Sequence, residues 1–320
     1  MKQNLEKKYN STIFGDNKPT LGIIILLTLL FIYALSTNHF FSMFQIKDII
    51  LNSTLTTALA ALGVGLVILS GGFDMSAGAT VVLVNVVFVT SYTNNLPGGI
   101  VLWAIICLII STVVGFINGF LIAVLRLPSI IATLAMSFVL QGVALLVMPV
   151  PSGSISESYI DFWTGAIGGI IPVSFIYFVI LIVAVLALQN SSFGTNLYSV
   201  GSDEHASYLN GVPAIRVKMM TYLIAGFCYG LSGLYATAYM GSGDPTLGAP
   251  MLLSIFAAVV VGGIKIGGGR GSFVGGIIGA GIMNLTITTL FVIGVSSYWG
   301  PIANGIVLVG AVILNSFLGK

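Results

Sequence analysis

The sequence predicts an all-α, polytopic integral membrane protein of about ten transmembrane helices, and three observations carry that prediction. Of its 320 residues, 57% are hydrophobic and only 6% are charged, whereas soluble domains run near 25% charged. Apolar runs close to the ~20 residues needed to cross a bilayer recur along the whole chain. The basic residues, finally, gather on one side of the membrane that those runs define.

The chain opens on a polar tail, 1–18, and the first apolar run, 20–36, has no small-residue cleavage signal after it, so it reads as a retained span. The further runs are 49–70, 76–92, 99–125, 128–148, 172–189, 215–240, 251–264, 272–293 and 299–317. Several are short or broken by glycine, which makes eight to ten spans the range. Ten spans with both ends cytoplasmic put Lys2, Lys7, Lys8, Lys18, Arg126, Arg216, Lys218, Lys265, Arg270 and Lys320 inside, and Lys47 outside. Because the runs are defined by apolarity alone, this bias is an independent check on the topology. The chain reads as one transmembrane domain, 1–320, in a cell membrane.

Gly115 and Gly119, Gly226 and Gly230, and Gly275 and Gly279 stand four apart, the spacing that lets helix backbones approach in lipid. Two polar breaks share a pattern 170 residues apart. Gly71-Gly72-Phe73-Asp74-Met75-Ser76-Ala77-Gly78 and Gly241-Ser242-Gly243-Asp244-Pro245-Thr246-Leu247-Gly248 both read Gly-x-x-Asp-x-(Ser/Thr)-x-Gly. Ten spans place the first inside and the second outside, as an inverted repeat requires. The same pattern is also what two unrelated Asp-Ser caps with turn glycines would show.

The most polar interior stretch is 194–218, with apolar flanks. Asp203 can cap a short helix running to Asn210, and Gly211 and Pro213 stop it. Ala206 and Leu209 share one face, with Glu204 and Ser207 nearby. From composition alone it is either an ordinary polar loop or a knob offered to a partner. A second polar stretch, 152–164, carries Glu157 and Asp161 on one face if helical.

Several of these residues resemble a known family. Gly201, Glu204, Ala206, Leu209, Gly211 and Val212 are similar to the cytoplasmic coupling segment of the sugar-type permeases of ATP-binding-cassette importers, the ribose-permease-like family, which more often has Ala, Arg and Ser at Ser207, Tyr208 and Asn210. Leu69-Ser70 with the first break resembles its Gly-Gly-(Ile/Phe)-Asp-(Leu/Met)-Ser-x-Gly signature. Ala257 to Gly263, Gly267 to Ser272 with Gly275, and Ile171-Pro172-Val173 resemble further stretches of the same family. The matches run from Leu51 to Asn315, though Leu252 and Ser254 stand where the family is often acidic. The resemblance implies a coupling segment at 190–215 in which Glu204, Ala206, Leu209 and Gly211 meet a separate ATPase subunit. It also implies an extracytoplasmic solute-binding protein, a second permease subunit in a homo- or heterodimer, and a monosaccharide as solute.

Other chemistries find no support in the sequence. Net charge is +2 with no basic patch, which sets nucleic acid aside. Cys107 and Cys228 lie in apolar runs without metal or redox spacing. His39 and His205 are isolated, so no metal set forms. The 262–271 glycine run lacks the Gly-Lys-(Ser/Thr) ending of a phosphate cradle, and Gly-Ser-Gly-Asp at 241–244 lacks the second membrane Asp of an aspartyl protease. The reading is therefore not an enzyme, and no cofactor is expected. Within the spans, Asn85, Asn118, Gln141, Asn284 and Thr288 should turn inward. Together with Phe291 they form a candidate path for a hydroxylated neutral solute; each could equally brace neighbouring helices. No titratable residue sits at a span centre, which disfavours the alternative of an ion-coupled carrier or channel working without an ATPase.

Overall fold

The computed structural model describes residues 51–169, 171–292, 294–296 and 299–318, together with Leu29. The expected tail 1–18 lies outside the described residues, as does the first span apart from Leu29. The described chain is an all-α membrane protein. Its helices are α1 (Ser53–Leu69), α2 (Ala77–Thr93), α3 (Gly99–Ala123), α4 (Ser129–Val147), α5 (Glu157–Thr164), α6 (Val173–Gln189), α7 (Ser192–Ser202), α8 (Glu204–Leu209), α9 (Ala214–Met240), α10 (Gly248–Val261), α11 (Phe273–Val292) and α12 (Trp299–Leu318). One two-residue antiparallel pair, β1 (Ala166–Ile167) with β2 (Ile171–Pro172), closes the turn between α5 and α6.

Helix length sorts the spans. α3, α4, α9 and α11 are each long and apolar enough to cross a membrane, and α6 with α7 forms a fifth such unit bent by 67°. α1 and α2 have 17 residues each and α10 has 14, so at 1.5 Å per residue they rise only about 26 and 21 Å. α1 and α2 flank the first sequence break, and α10 follows the second. A span is shortened where its backbone is interrupted inside the bundle, which lipid tolerates only if protein groups satisfy the freed amides and carbonyls.

α9 is the axis of the bundle. Its 27 residues rise about 40 Å, Gly241 stops it with φ +68°, and it packs along α3, α1 and α2. Tyr222, Tyr229 and Tyr235 from α9 join Leu55, Leu66, Ile68 and Leu69 from α1 in a fully buried core. The glycine pairs explain the closeness of α3 and α9. A Cβ at Gly115 would stand 3.0 Å from the Gly226 Cα and collide with the Tyr222 carbonyl. Gly275 and Gly279 likewise press α11 against the Ala258 carbonyl of α10 and the Gly262 carbonyl at its C-cap. In lipid, where burying apolar surface between helices brings little net gain, such close approach supplies the dispersion that holds the bundle. All three pairs thus serve packing within this chain. Cys107 and Cys228 are buried free thiols in the same packing.

Candidate functional site: two helix breaks, a cavity and a capped segment

The two breaks fold into the same turn. At the first, fully buried Asp74 accepts through Oδ1 from the Ser76 backbone N–H at 2.9 Å and from Ser76 Oγ at 2.6 Å. At the second, Asp244 Oδ1 accepts from the Thr246 N–H at 2.8 Å and from Thr246 Oγ1 at 2.6 Å. In each case the carboxylate closes the turn that starts the next helix, α2 or α10.

Different neighbours hold the two turns. At the first, Asn118 Nδ2 donates to Ser76 Oγ at 2.9 Å, Tyr222 Oη donates to the Phe73 carbonyl at 3.0 Å, and Thr133 Oγ1 accepts from the Met75 N–H at 3.0 Å. At the second, Asn85 Oδ1 accepts from the Asp244 N–H at 2.9 Å, while its Nδ2 donates to Thr237 Oγ1 at 2.9 Å and to the Ser242 carbonyl at 3.0 Å. Gln141 Nε2 adds a bond to the Pro245 carbonyl at 2.6 Å. Tyr222 and Thr237 are 15 residues apart on α9, so the turns sit at levels separated by about 22 Å.

From those levels α2 and α10 run past each other in opposite senses. α2 climbs beside α9 until Asn85 reaches Thr237, whereas α10 starts at the second break and returns until Phe256 stacks on Phe73 at 6.3 Å. They pass at two glycines also 170 residues apart in sequence, since a Cβ on Gly78 would collide with the Gly248 carbonyl.

Between these elements lies a cavity of about 330 Å³, lined by Thr56 and Thr57 of α1, Asn85 of α2, Tyr239 of α9, Met251 of α10, and Asn284 and Thr288 of α11. Its size is at the lower end of small-molecule pockets, about 300–1,000 Å³. Asn284 Nδ2 donates to Thr57 Oγ1 at 3.3 Å and to the Ala280 carbonyl at 3.1 Å. Of the six residues that the sequence offered as a solute path, the structure gathers Asn85, Asn284 and Thr288 here. Asn118 and Gln141 are placed at the breaks, and the side chain of Phe291 lies outside the described residues. Thr56, Thr57 and Tyr239 were not singled out from the sequence. The polar run Asn52-Ser53-Thr54-Leu55-Thr56-Thr57 inside an apolar span was the available signal.

The polar segment is more structured than the sequence indicated. A helix, α7, precedes the expected short one, with Ser191 as its N-cap accepting from the Gly194 N–H at 3.2 Å. Phe193, Leu197 and Val200 at i, i+4 and i+7 supply its apolar face, and Leu197 and Val200 are buried; the intervening Gly194, Thr195, Asn196 and Ser199 masked that period. Asp203 then caps α8 by accepting from the Ala206 N–H at 2.9 Å, and Gly211, at φ +80°, terminates it. Ser207 turns inward onto Ser199 Oγ at 2.8 Å, and Glu204 forms an ion pair with Lys218 of α9. Tyr208 and Leu209 are 71% and 72% exposed, an apolar pair on an otherwise polar element. Beside α8 a wide vestibule of about 1160 Å³ opens toward Gly71, Arg126 and Arg216. Far along α9, the 152–164 stretch becomes helical from Glu157 as α5, with Glu157 and Asp161 both exposed on its first two turns.

The sequence was compared with known proteins. Residues 46–315 match the family model described as branched-chain amino acid transport system / permease component. The chain belongs to this family of transport permeases. It is 31% identical to the ribose import permease protein RbsC of Haemophilus influenzae, with 93% of each chain covered. It is 34% identical to the RbsC protein of Bacillus subtilis over 93% of this chain and 91% of that one. The D-allose transport system permease protein AlsC of Escherichia coli is 26% identical over 98% of this chain and 96% of its own. No solved structure matches significantly. The ribose-permease-like resemblance read from the motifs is borne out, and the permease is a multi-pass protein of the inner membrane.

Proposed function

We propose that this permease is the membrane subunit of an ATP-driven importer for a small, neutral, hydroxylated solute, a monosaccharide of the ribose or allose class. Two ATPase subunits bind inside, one at this chain's α8 through Ala206, Leu209, Glu204 and the turn at Gly211, the other at the corresponding segment of the second permease subunit. A solute-binding protein delivers ligand outside near α5, and a second permease subunit completes the path. The chain acts as one transmembrane unit with both termini cytoplasmic, an orientation supported by its basic residues. It performs no chemistry. ATP-driven movement of α8 shifts the bundle between outward- and inward-open states.

The observation that carries the reading is α8 itself: a capped helix outside the apolar spans, exposing Leu209 and Tyr208 where a free polar loop would bury or omit them. The uncharged amides and hydroxyls of Asn85, Asn284, Thr57 and Thr288 around the cavity support a sugar over a charged solute. Co-expression with the ATPase tests the first point. Leu209→Asp should leave the permease in the membrane but abolish ATPase co-purification, and unchanged co-purification would refute the docking role. Uptake of ribose, allose and leucine into proteoliposomes holding the complete complex tests the second, with leucine uptake in place of sugar refuting it.

A further inference from the structure

The glycine run 267–271 binds no phosphate by its sequence, yet the structure uses it. Three backbone segments meet there with no side chain between them. A Cβ on Gly201, at the end of α7, would collide with the Leu69 carbonyl oxygen, the same oxygen that accepts from the Gly269 N–H at 2.9 Å. A Cβ on Gly268 would stand 2.5 Å from the Gly201 carbonyl oxygen and 2.9 Å from the Gly71 Cα. Tyr198, one turn earlier on α7, donates its hydroxyl to the Gly271 carbonyl at 2.8 Å and stacks on Phe273 at 5.4 Å. The segment bearing α8 is therefore clasped directly to the first break and to the loop entering α11.

The second break has its own clasp, on the opposite segment. Ser152 and Gly243 exchange both backbone hydrogen bonds at 3.0 Å, and the Ile155 N–H donates to the Gly241 carbonyl at 3.2 Å. The two clasped breaks lead into α2 and α10, which touch at Gly78 and Gly248.

We propose that these clasps make each break one body with its nearest surface segment, and that movement of α8 reaches the 152–155 segment through the Gly78–Gly248 contact. Gly201 and Tyr198 are then positioning residues for coupled transport. This rests on the proposed role of α8 and names the route its movement takes. Backbone-on-backbone contact suits a rigid link because it contains no rotamer to absorb a displacement. Small shifts at one surface then become discrete rearrangements elsewhere.

The test uses the permease–ATPase complex in lipid nanodiscs, with Cys107 and Cys228 replaced by Ala and a reporter cysteine at exposed Ala249, just past the second break. ATP should change the labelling rate at position 249 in this parent, and absence of any change overturns the proposal. Gly201→Ala should retain bound ATPase but lose the change. Tyr198→Phe should diminish it, and Gly142→Ala, whose added methyl meets nothing within 4 Å, should keep it. A Gly201→Ala complex responding like the parent overturns the proposal, whereas loss of ATPase binding in Leu209→Asp bears only on the docking reading. If Gly201→Ala does not assemble, the second clasp decides. Ser152→Cys with Gly243→Cys should form a disulfide, because hydrogen-bonded cross-strand partners stand about 5.5 Å apart at Cα, and the cross-linked complex should keep the ATP response. Failure to cross-link, or loss of the response on cross-linking, overturns it.

Discussion

Asn85 separates bracing from solute contact, because it borders the cavity and also holds the second break. Asn85→Ala removes three hydrogen bonds, to Thr237, Ser242 and Asp244. Interhelical hydrogen bonds in membrane proteins are worth ~0.6 kcal/mol on average, so three amount to ~2 kcal/mol, about 30-fold in the unfolding equilibrium. Asn284→Ala removes one bond of 3.3 Å between helices, to Thr57, and a second within its own helix. Its expected loss is ~0.6 kcal/mol, roughly threefold. Denaturant titration in micelles, followed by a thiol-reactive dye on buried Cys107 and Cys228, reads both. Transport should respond in the opposite order per unit of stability lost: Asn284→Ala should weaken uptake while leaving the fold nearly intact. Asn85→Ala within ~0.5 kcal/mol of the parent, or Asn284→Ala equally destabilising, would refute the assignment.

Further outcomes follow from the same geometry. Ser76→Ala should destabilise more than Thr246→Ala, although the turns match, because Ser76 is fully buried and also serves Asn118 whereas Thr246 is exposed; the same titration compares them. Asp203→Ala should lower the stability of α8 by about 1 kcal/mol and Asp203→Asn by less, read as faster amide exchange over 204–209. Gly115→Leu should prevent a monodisperse protein on gel filtration by forcing α3 from α9, where overpacking adds at least ~1–3 kcal/mol. In intact cells, single cysteines at Ser156 and Asp244 should react with an impermeant thiol reagent and one at Leu209 only after the membrane is opened. Reaction at 209 from outside would invert the topology.

The sequence by itself determined the fold class, the apolar helices, the two breaks and the capped α8. Each rests on local chemistry: apolar length against bilayer thickness, an Asp two residues before a Ser or Thr, and an Asp ahead of a short polar helix ended by Gly211. It could not assign the inward-facing amides. Periodicity locates a core by contrast between faces, and spans apolar on every side provide almost none. Asn85 and Asn284 therefore looked alike in sequence, and only their partners distinguish them: both border the cavity, but Asn85 also holds a break 157 to 159 residues away, whereas Asn284 bonds Thr57 and its own helix. α7 was missed because its apolar residues are separated by Gly194, Thr195, Asn196 and Ser199, which read as loop, and because it ends on Gly201, where tertiary contact with the Leu69 carbonyl leaves no room for a side chain. The 170-residue repeat was legible as a pattern, but that Gly78 and Gly248 touch was settled by the tertiary structure, since backbones approach this closely only where a side chain is missing and a local pattern does not say which glycines face each other.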